Sequence, residues 1–68
     1  MFKSLIFNKR EEIVFIQDHP TFEESLKSLN MEIDERKGTP LSGAYIYRYL
    51  NPTENQSMVM VASLRTTR

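Results

Sequence analysis

The chain has no cysteine and no tryptophan, and it contains one histidine among its 68 residues. Without cysteine, neither a disulfide nor a thiolate zinc site can stabilise so short a chain. A chain of this length is near the size at which a single core only just offsets the conformational entropy of folding. We therefore expect one small domain over residues 1–68, stabilised either by good packing or by self-association, and we favour self-association. The absence of cysteine also fits a cytoplasmic location.

The chain also has no excess of positive or negative charge and no long apolar run. Nine Lys and Arg balance nine Asp and Glu, whereas proteins that bind the phosphate backbone of nucleic acid usually carry a basic excess. Nucleic acid is therefore a possible but secondary partner. No apolar run approaches the roughly 18 residues that cross a bilayer, so we expect no membrane partner. The start, MFKSLIFNKREE, is more typical of a first strand than of a signal peptide.

Catalytic and cofactor motifs are sparse. His19 follows Asp18, but neighbours in an extended segment point to opposite sides, and the chain has no cysteine and no serine nucleophile motif. We interpret His19 as an exposed residue at the start of a helix. The run GTPLSG over 38–43 lacks the lysine and the spacing of a phosphate-binding loop. We therefore predict that the protein is not an enzyme and has no cofactor.

An acidic group could in principle bind a divalent cation through its carboxylate oxygens. It has no glycine-containing calcium loop around it, so we interpret it as a solvated strand edge and predict no metal. The group consists of Glu32, Asp34 and Glu35.

Two apolar runs, 2–7 and 12–17, predict a hairpin with a four-residue loop. If Phe7 faces Glu12, one face carries Phe2, Ser4, Ile6, Ile13, Phe15 and Gln17, and the other carries Lys3, Leu5, Phe7, Val14 and Ile16. Both faces are then largely apolar. Since a sheet with one face in water alternates more cleanly, we expect both sides of this hairpin to meet another surface.

A short amphipathic helix of about ten residues follows. Either Asp18 or Thr21 can cap its start, and Thr21 with Glu24 three residues later also fits a capping box. The apolar residues Phe22, Leu26 and Leu29 lie at helical spacing. So short a helix is not stable alone and must dock on the sheet. Met31 and Ile33 then alternate with charged residues, which predicts a short edge strand over 31–35. Residues 36–43 contain two glycines and a proline and predict a mobile loop.

The strongest pattern is the hairpin over 44–64, in which a Tyr-rich run and a Met- and Val-rich run flank six turn-forming or polar residues. With Leu50 opposite Ser57, the first face carries Tyr45, Tyr47, Tyr49, Met58, Met60 and Ala62. The second face carries Ala44, Ile46, Arg48, Val59, Val61 and Ser63. The complete pattern predicts an α+β fold in the order β-β-α-β-β-β, with one mostly antiparallel sheet and a single short helix on one face.

This fold has more apolar strand surface than one short helix can cover, so we expect a second protein surface, most simply a homodimer. Our first hypothesis is a small non-catalytic protein-binding module, a regulator or inhibitor that acts by protein–protein contact. The expected contact residues are Tyr45, Tyr47, Tyr49, Arg48, Met58, Met60 and Arg65, together with the loop at 36–43. The alternative is a single-stranded nucleic-acid-binding protein whose tyrosine ladder stacks bases, assisted by Arg48 and the basic C-terminus.

Overall fold

The computed structural model describes residues 1–50 and 57–66. It contains β1 (Phe2–Asn8), β2 (Ile13–His19), α1 (Phe22–Glu35), β3 (Leu41–Tyr49) and β4 (Met58–Leu64). The strands form one antiparallel sheet in the order β2-β1-β3-β4, and the helix packs against β1, β2 and β3. The predicted α+β fold with a single antiparallel sheet and one helix is therefore confirmed. The loop predicted inside the second hairpin and the last two residues lie outside the described ranges.

The helix is longer than predicted, and the strand predicted over 31–35 is wrong because these residues form its last turns. Ile33 follows Leu29 by four residues, and the two side chains are 1% and 0% exposed, whereas Met31 is 53% exposed. Residues two positions apart in a helix lie on different sides of it, so one side chain is buried and the other is exposed. The alternation over these five residues fits the period of a strand as well as that of a helix. Ile33 continues the apolar stripe of the helix, and this decides for the helix.

The helix starts after Thr21, one of the two residues predicted to cap it. Thr21 is the N-cap, in extended conformation, and its Oγ1 accepts a hydrogen bond from the backbone N–H of Glu24 at 3.2 Å. This bond satisfies one of the N–H groups that a helix leaves unpaired at its start. Glu23 and Glu24 also place negative charge in the first turn, where the helix dipole favours it.

The first hairpin forms, but its register differs from the prediction. Phe7 lies opposite Ile13, and the pairing then shifts so that Ile6 lies opposite Phe15 and Val14 is an extra residue in β2. The bulge brings both Val14 and Phe15 against the core, whereas alternation placed them on opposite faces. The prediction for Ile13 is also corrected, because it lies across from Phe7 rather than beside Phe15 on the face of Ile6. A bulge of this kind locally changes the alternation of the strand.

The core lies between the helix and the adjacent face of the sheet. Its buried apolar side chains come from β1, α1 and β3: Ile6, Leu29, Ile33, Leu41, Ala44 and Ile46. Two serines are buried with them: the hydroxyl of Ser4 donates to the carbonyl oxygen of Ser25 at 3.5 Å, and Ser25 Oγ has no hydrogen-bond partner in the described part of the chain. Because most of the core residues lie on β1, β3 and α1, the centre of the sheet is well packed and its edges less so.

β3 begins at Leu41, three residues before the predicted start of the hairpin, so the connection after the helix is shorter than predicted. Leu41 and Gly43 are both buried within the strand. The turn itself contains Gly38 at φ +93°, a conformation that L side chains rarely adopt. The predicted interaction loop is therefore confined to residues 36–40, and its mobility stays a prediction.

The predicted register of the second hairpin is confirmed near the loop, where Tyr49 lies opposite Met58 and Tyr47 opposite Met60. β4 then contains one extra residue, Val61, so that Ala62 lies opposite Ile46 and packs against the core. The prediction that Ala62 shares the tyrosine face is therefore wrong. Ser63 lies opposite Tyr45 instead. The bulge lets the end of β4 contribute apolar side chains to the core although its first half does not.

A candidate protein-interaction face

The side of the sheet opposite the helix has no covering layer in the described part of the chain. We call it the open face. Its side chains come from all four strands: Lys3, Leu5, Phe7, Ile16, Asp18, Tyr45, Tyr47, Tyr49, Met58 and Met60. Leu5 at its centre is buried and the three tyrosines are partly buried, whereas Ile16 is 53% and Met60 48% exposed. The open face is therefore an apolar surface with a partly shielded centre.

Aromatic rings form one end of the open face. The rings of Phe7 and Tyr45 meet edge to face with centroids 6.0 Å apart, and Tyr45 and Tyr47 are tilted at 6.4 Å. Such spacings stabilise aromatic pairs beyond simple burial. Together with Met60 and the polar rim of Glu11 and Ser42, these rings line a shallow groove of about 370 Å³. The groove offers aromatic and thioether surface with one carboxylate at its border.

The position of the Tyr45 ring depends on Gly43. A Cβ at Gly43 would lie 2.5 Å from Cζ of Tyr45, so the ring occupies the space above the glycine. This contact covers the backbone of a strand glycine with an aromatic ring. Gly43, which the sequence pattern assigned to a loop, therefore positions the ring of Tyr45.

Polar interactions occupy the other end of the open face. Lys3 Nζ lies 3.3 Å from Asp18 Oδ1, and the Tyr49 hydroxyl donates to the same oxygen at 3.1 Å. The ammonium also lies 5.6 Å from the centre of the Tyr49 ring. The hydrogen bond with Tyr49 and the pairing with Asp18 raise the pKa of Lys3 above its usual value, while desolvation opposes the shift. Tyr49 is thus held within an internal polar network, and Lys3 has a carboxylate partner.

The two arginines of the predicted contact set lie apart from the tyrosines. Arg48 is exposed on the helix side of β3, as alternation predicts, and Arg65 is exposed beyond the opposite end of β4. Met58 and Met60 lie on the open face, opposite Tyr49 and Tyr47. The structure therefore brings together the tyrosines and methionines of the set and leaves both arginines outside it.

His19 is half-buried at the end of β2, not exposed as the sequence suggested, and its Nε2 has no hydrogen-bond partner in the described ranges. It borders a shallow groove of about 260 Å³ with the helix residues Glu24 and Glu32. Glu32 is paired with the guanidinium of Arg36. Over residues 1–50 and 57–66, no cluster of three His, Asp or Glu side chains has the geometry to hold a metal ion.

The exposure of apolar residues along β4 could not be predicted from the residue pattern. Val59, on the helix side of β4, and Val61, the extra residue at the bulge, are each 41% exposed, because the helix does not reach this strand. Alternation showed that the strand is apolar on both sides, but not that it is an edge strand beyond the helix. Strand order is the missing information, and composition does not provide it.

The chain matches no protein-family model, no curated protein and no solved structure at a significant level. In the described part of the chain, no helix has the length and apolar character to cross a membrane.

Proposed function

We propose that the protein is a small non-catalytic protein-binding module, a regulator or inhibitor that acts by contact between its open face and a partner protein. The observation that supports this most directly is the aromatic end of the open face, where Tyr45, Tyr47 and Met60 border a groove that no other element of the described chain covers. Tyrosine is enriched at protein interfaces, and methionine gives an adaptable contact surface.

The charge on the open face supports a protein partner over nucleic acid. Lys3 on this face is paired with Asp18, and the groove is bordered by Glu11. Arg48 lies on the other side of the sheet. Among the described residues, this face has no unpaired cation for the phosphates of bases stacked on the tyrosines, and backbone contacts dominate affinity for nucleic acid. The partner that fits is a protein surface with an apolar or aromatic anchor for the groove and a neutral or basic rim opposite Glu11.

The test compares variants of the immobilised protein as baits in extracts of the source cell, with bound proteins identified by mass spectrometry. A Tyr45→Ala, Tyr47→Ala double variant and a Met60→Lys variant should lose a protein that the wild type retains. Lys27→Ala, exposed on the helix, is the control and should retain it. The purified partner should then bind the wild type at least tenfold more tightly than either variant, which is about 1.4 kcal/mol.

Two results would contradict the proposal. One is a set of bound proteins that is the same for the wild type and both open-face variants. The other is salt-sensitive binding of a single-stranded oligonucleotide that the Tyr45→Ala, Tyr47→Ala variant loses, which would favour the nucleic-acid alternative.

A further inference from the structure

β4 is an edge strand with apolar side chains exposed on both of its faces. Four successive residues, from Met58 to Val61, are 36%, 41%, 48% and 41% exposed, and no strand of the described part of the chain pairs with the outer edge. The strand Met58–Leu64 contains no charged residue and no proline. An uncharged apolar edge of this kind is a template for pairing with another strand.

The opposite edge of the sheet, β2, differs in this respect. The guanidinium of Arg36 donates to the carbonyl oxygen of Val14 at 3.2 Å and packs over the ring of Phe15. Asp18 adds a charge near the end of the strand, and Val14 is a bulge. Charges and bulges are the usual means by which edge strands avoid pairing. The chain therefore protects one edge with charges and leaves the other edge uncharged.

The backbone of β4 shows which groups its outer edge presents. The N–H of Leu50 donates to the carbonyl oxygen of Ser57 at 2.8 Å, and hydrogen-bonded pairs alternate with non-hydrogen-bonded pairs along an antiparallel ladder. Val59 is therefore bonded to β3, and the N–H and C=O groups of Met58 and Met60 point outward. These outward groups need a partner in water or in another strand.

We propose that the outer edge of β4 pairs antiparallel with β4 of a second copy, with Val59 opposite Val59 on the two-fold axis. In this register Met58 of each copy faces Met60 of the other, about four backbone hydrogen bonds form, and like faces of the two sheets coincide. This inference deepens the proposed protein-contact function by assigning a homodimer to the edge, and it leaves the open face to the partner.

Charge supports a second copy as the occupant. The strand brings no like charges together, and the nearest cation, Arg48, lies on β3 opposite Val59. The two Arg48 positions would be separated by three strand spacings, about 14 Å, which exceeds the Debye length at physiological salt. The paired strands alone bury less than the roughly 800 Å² per partner of a standard interface, so we expect a dimer that dissociates on dilution.

The experiment measures the molar mass of the full chain by light scattering from about 10 to about 500 µM, a range suited to a small interface. The wild type should approach twice the monomer mass at the upper concentrations. Val59→Lys should stay monomeric, and Ile16→Lys, at the exposed β2 edge, should still dimerise. Circular dichroism of each variant shows whether it is folded.

Disulfide cross-linking gives a second measurement in a chain without native cysteine. Non-hydrogen-bonded pairs have Cα atoms about 4.5 Å apart, within the range for a disulfide. Val59→Cys should therefore form a covalent dimer on mild oxidation at least tenfold faster than Ile16→Cys.

A wild type that is monomeric at every concentration would overturn the edge pairing while leaving the open-face proposal intact. A dimer that Val59→Lys leaves unchanged and Tyr47→Arg abolishes would also overturn it, because the copies would then meet at the open face. Faster cross-linking of Ile16→Cys than of Val59→Cys would overturn it in favour of the β2 edge.

Discussion

Replacing Ile33 with alanine should destabilise the domain severely, while the same change at Met31 should have little effect. Ile33 is 1% exposed beneath the last turns of the helix, and Met31 is 53% exposed. Truncating a buried isoleucine to alanine costs about 2–5 kcal/mol. The whole domain has only about 3–10 kcal/mol of stability, at the usual amount per residue. Ile33→Ala therefore removes a large part of the total free energy of unfolding.

The Met31→Ala variant is the matched control. It removes an exposed side chain and introduces the best helix former, so we expect a change within about 0.5 kcal/mol. The measurement is urea unfolding followed by far-UV circular dichroism, at one protein concentration because association changes the apparent stability. Thermal unfolding should show Ile33→Ala melting at least about 8 °C below the wild type.

Equal losses in the two variants would refute the reasoning. If residues 31–35 were a strand, Met31 and Ile33 would lie on the same face and be buried or exposed together. Two alanine variants with similar midpoints would therefore indicate the strand, and the helical end of α1 would be wrong. Only the helix makes one residue critical and its neighbour two positions away dispensable.

Three further predictions concern buried and paired groups. Ser25→Ala should raise the free energy of unfolding by about 1 kcal/mol in urea titrations, because Oγ is buried and has no hydrogen-bond partner among residues 1–50 and 57–66. A lower free energy of unfolding would contradict this. Gly43→Ala should displace the ring of Tyr45 and cost about 1 kcal/mol, changing the near-UV circular dichroism while the far-UV spectrum stays the same; an unchanged near-UV spectrum would contradict it. Because the pKa of Lys3 is raised in the folded state, its stabilising contribution, below about 1 kcal/mol, is present below its unfolded pKa and lost as the pH rises through the folded value. Lys3→Met should therefore reduce the fall in stability as the pH rises above about 10, and an identical fall in both proteins would refute this.

Local signals in the sequence were sufficient where the structure depends on neighbouring residues. Thr21 caps the helix because a hydroxyl placed three residues before a free N–H satisfies it, whatever the rest of the fold does. The register at Tyr47 and Tyr49 follows from the spacing of the two runs around their loop. In both cases the relevant geometry is set within a few residues.

Features that depend on distant contacts were not predictable in the same way. The bulge at Val14 changes the expected faces of Ile13 and Val14, and the bulge at Val61 changes those of Ala62 and Ser63. Nothing in the local alternation marks where an extra residue is tolerated. The half-buried state of His19 likewise depends on the helix that packs over the end of β2. The candidate site was therefore predicted in its tyrosines and methionines, while the exposure of β4 required the strand order.

The uncovered strand follows from the dimensions of the fold. A helix with its side chains is about 10–12 Å across, and strands are spaced about 4.8 Å apart, so one helix covers two strands fully and a third in part. α1 packs on β1, β2 and β3. The first half of β4 is therefore not covered by the helix on one face, and its other face is part of the open face. If this part of the strand contacted only water, we would expect polar residues in place of Val59 and Val61. The chain instead places four apolar residues in succession there, and these are stabilised only when another surface buries them.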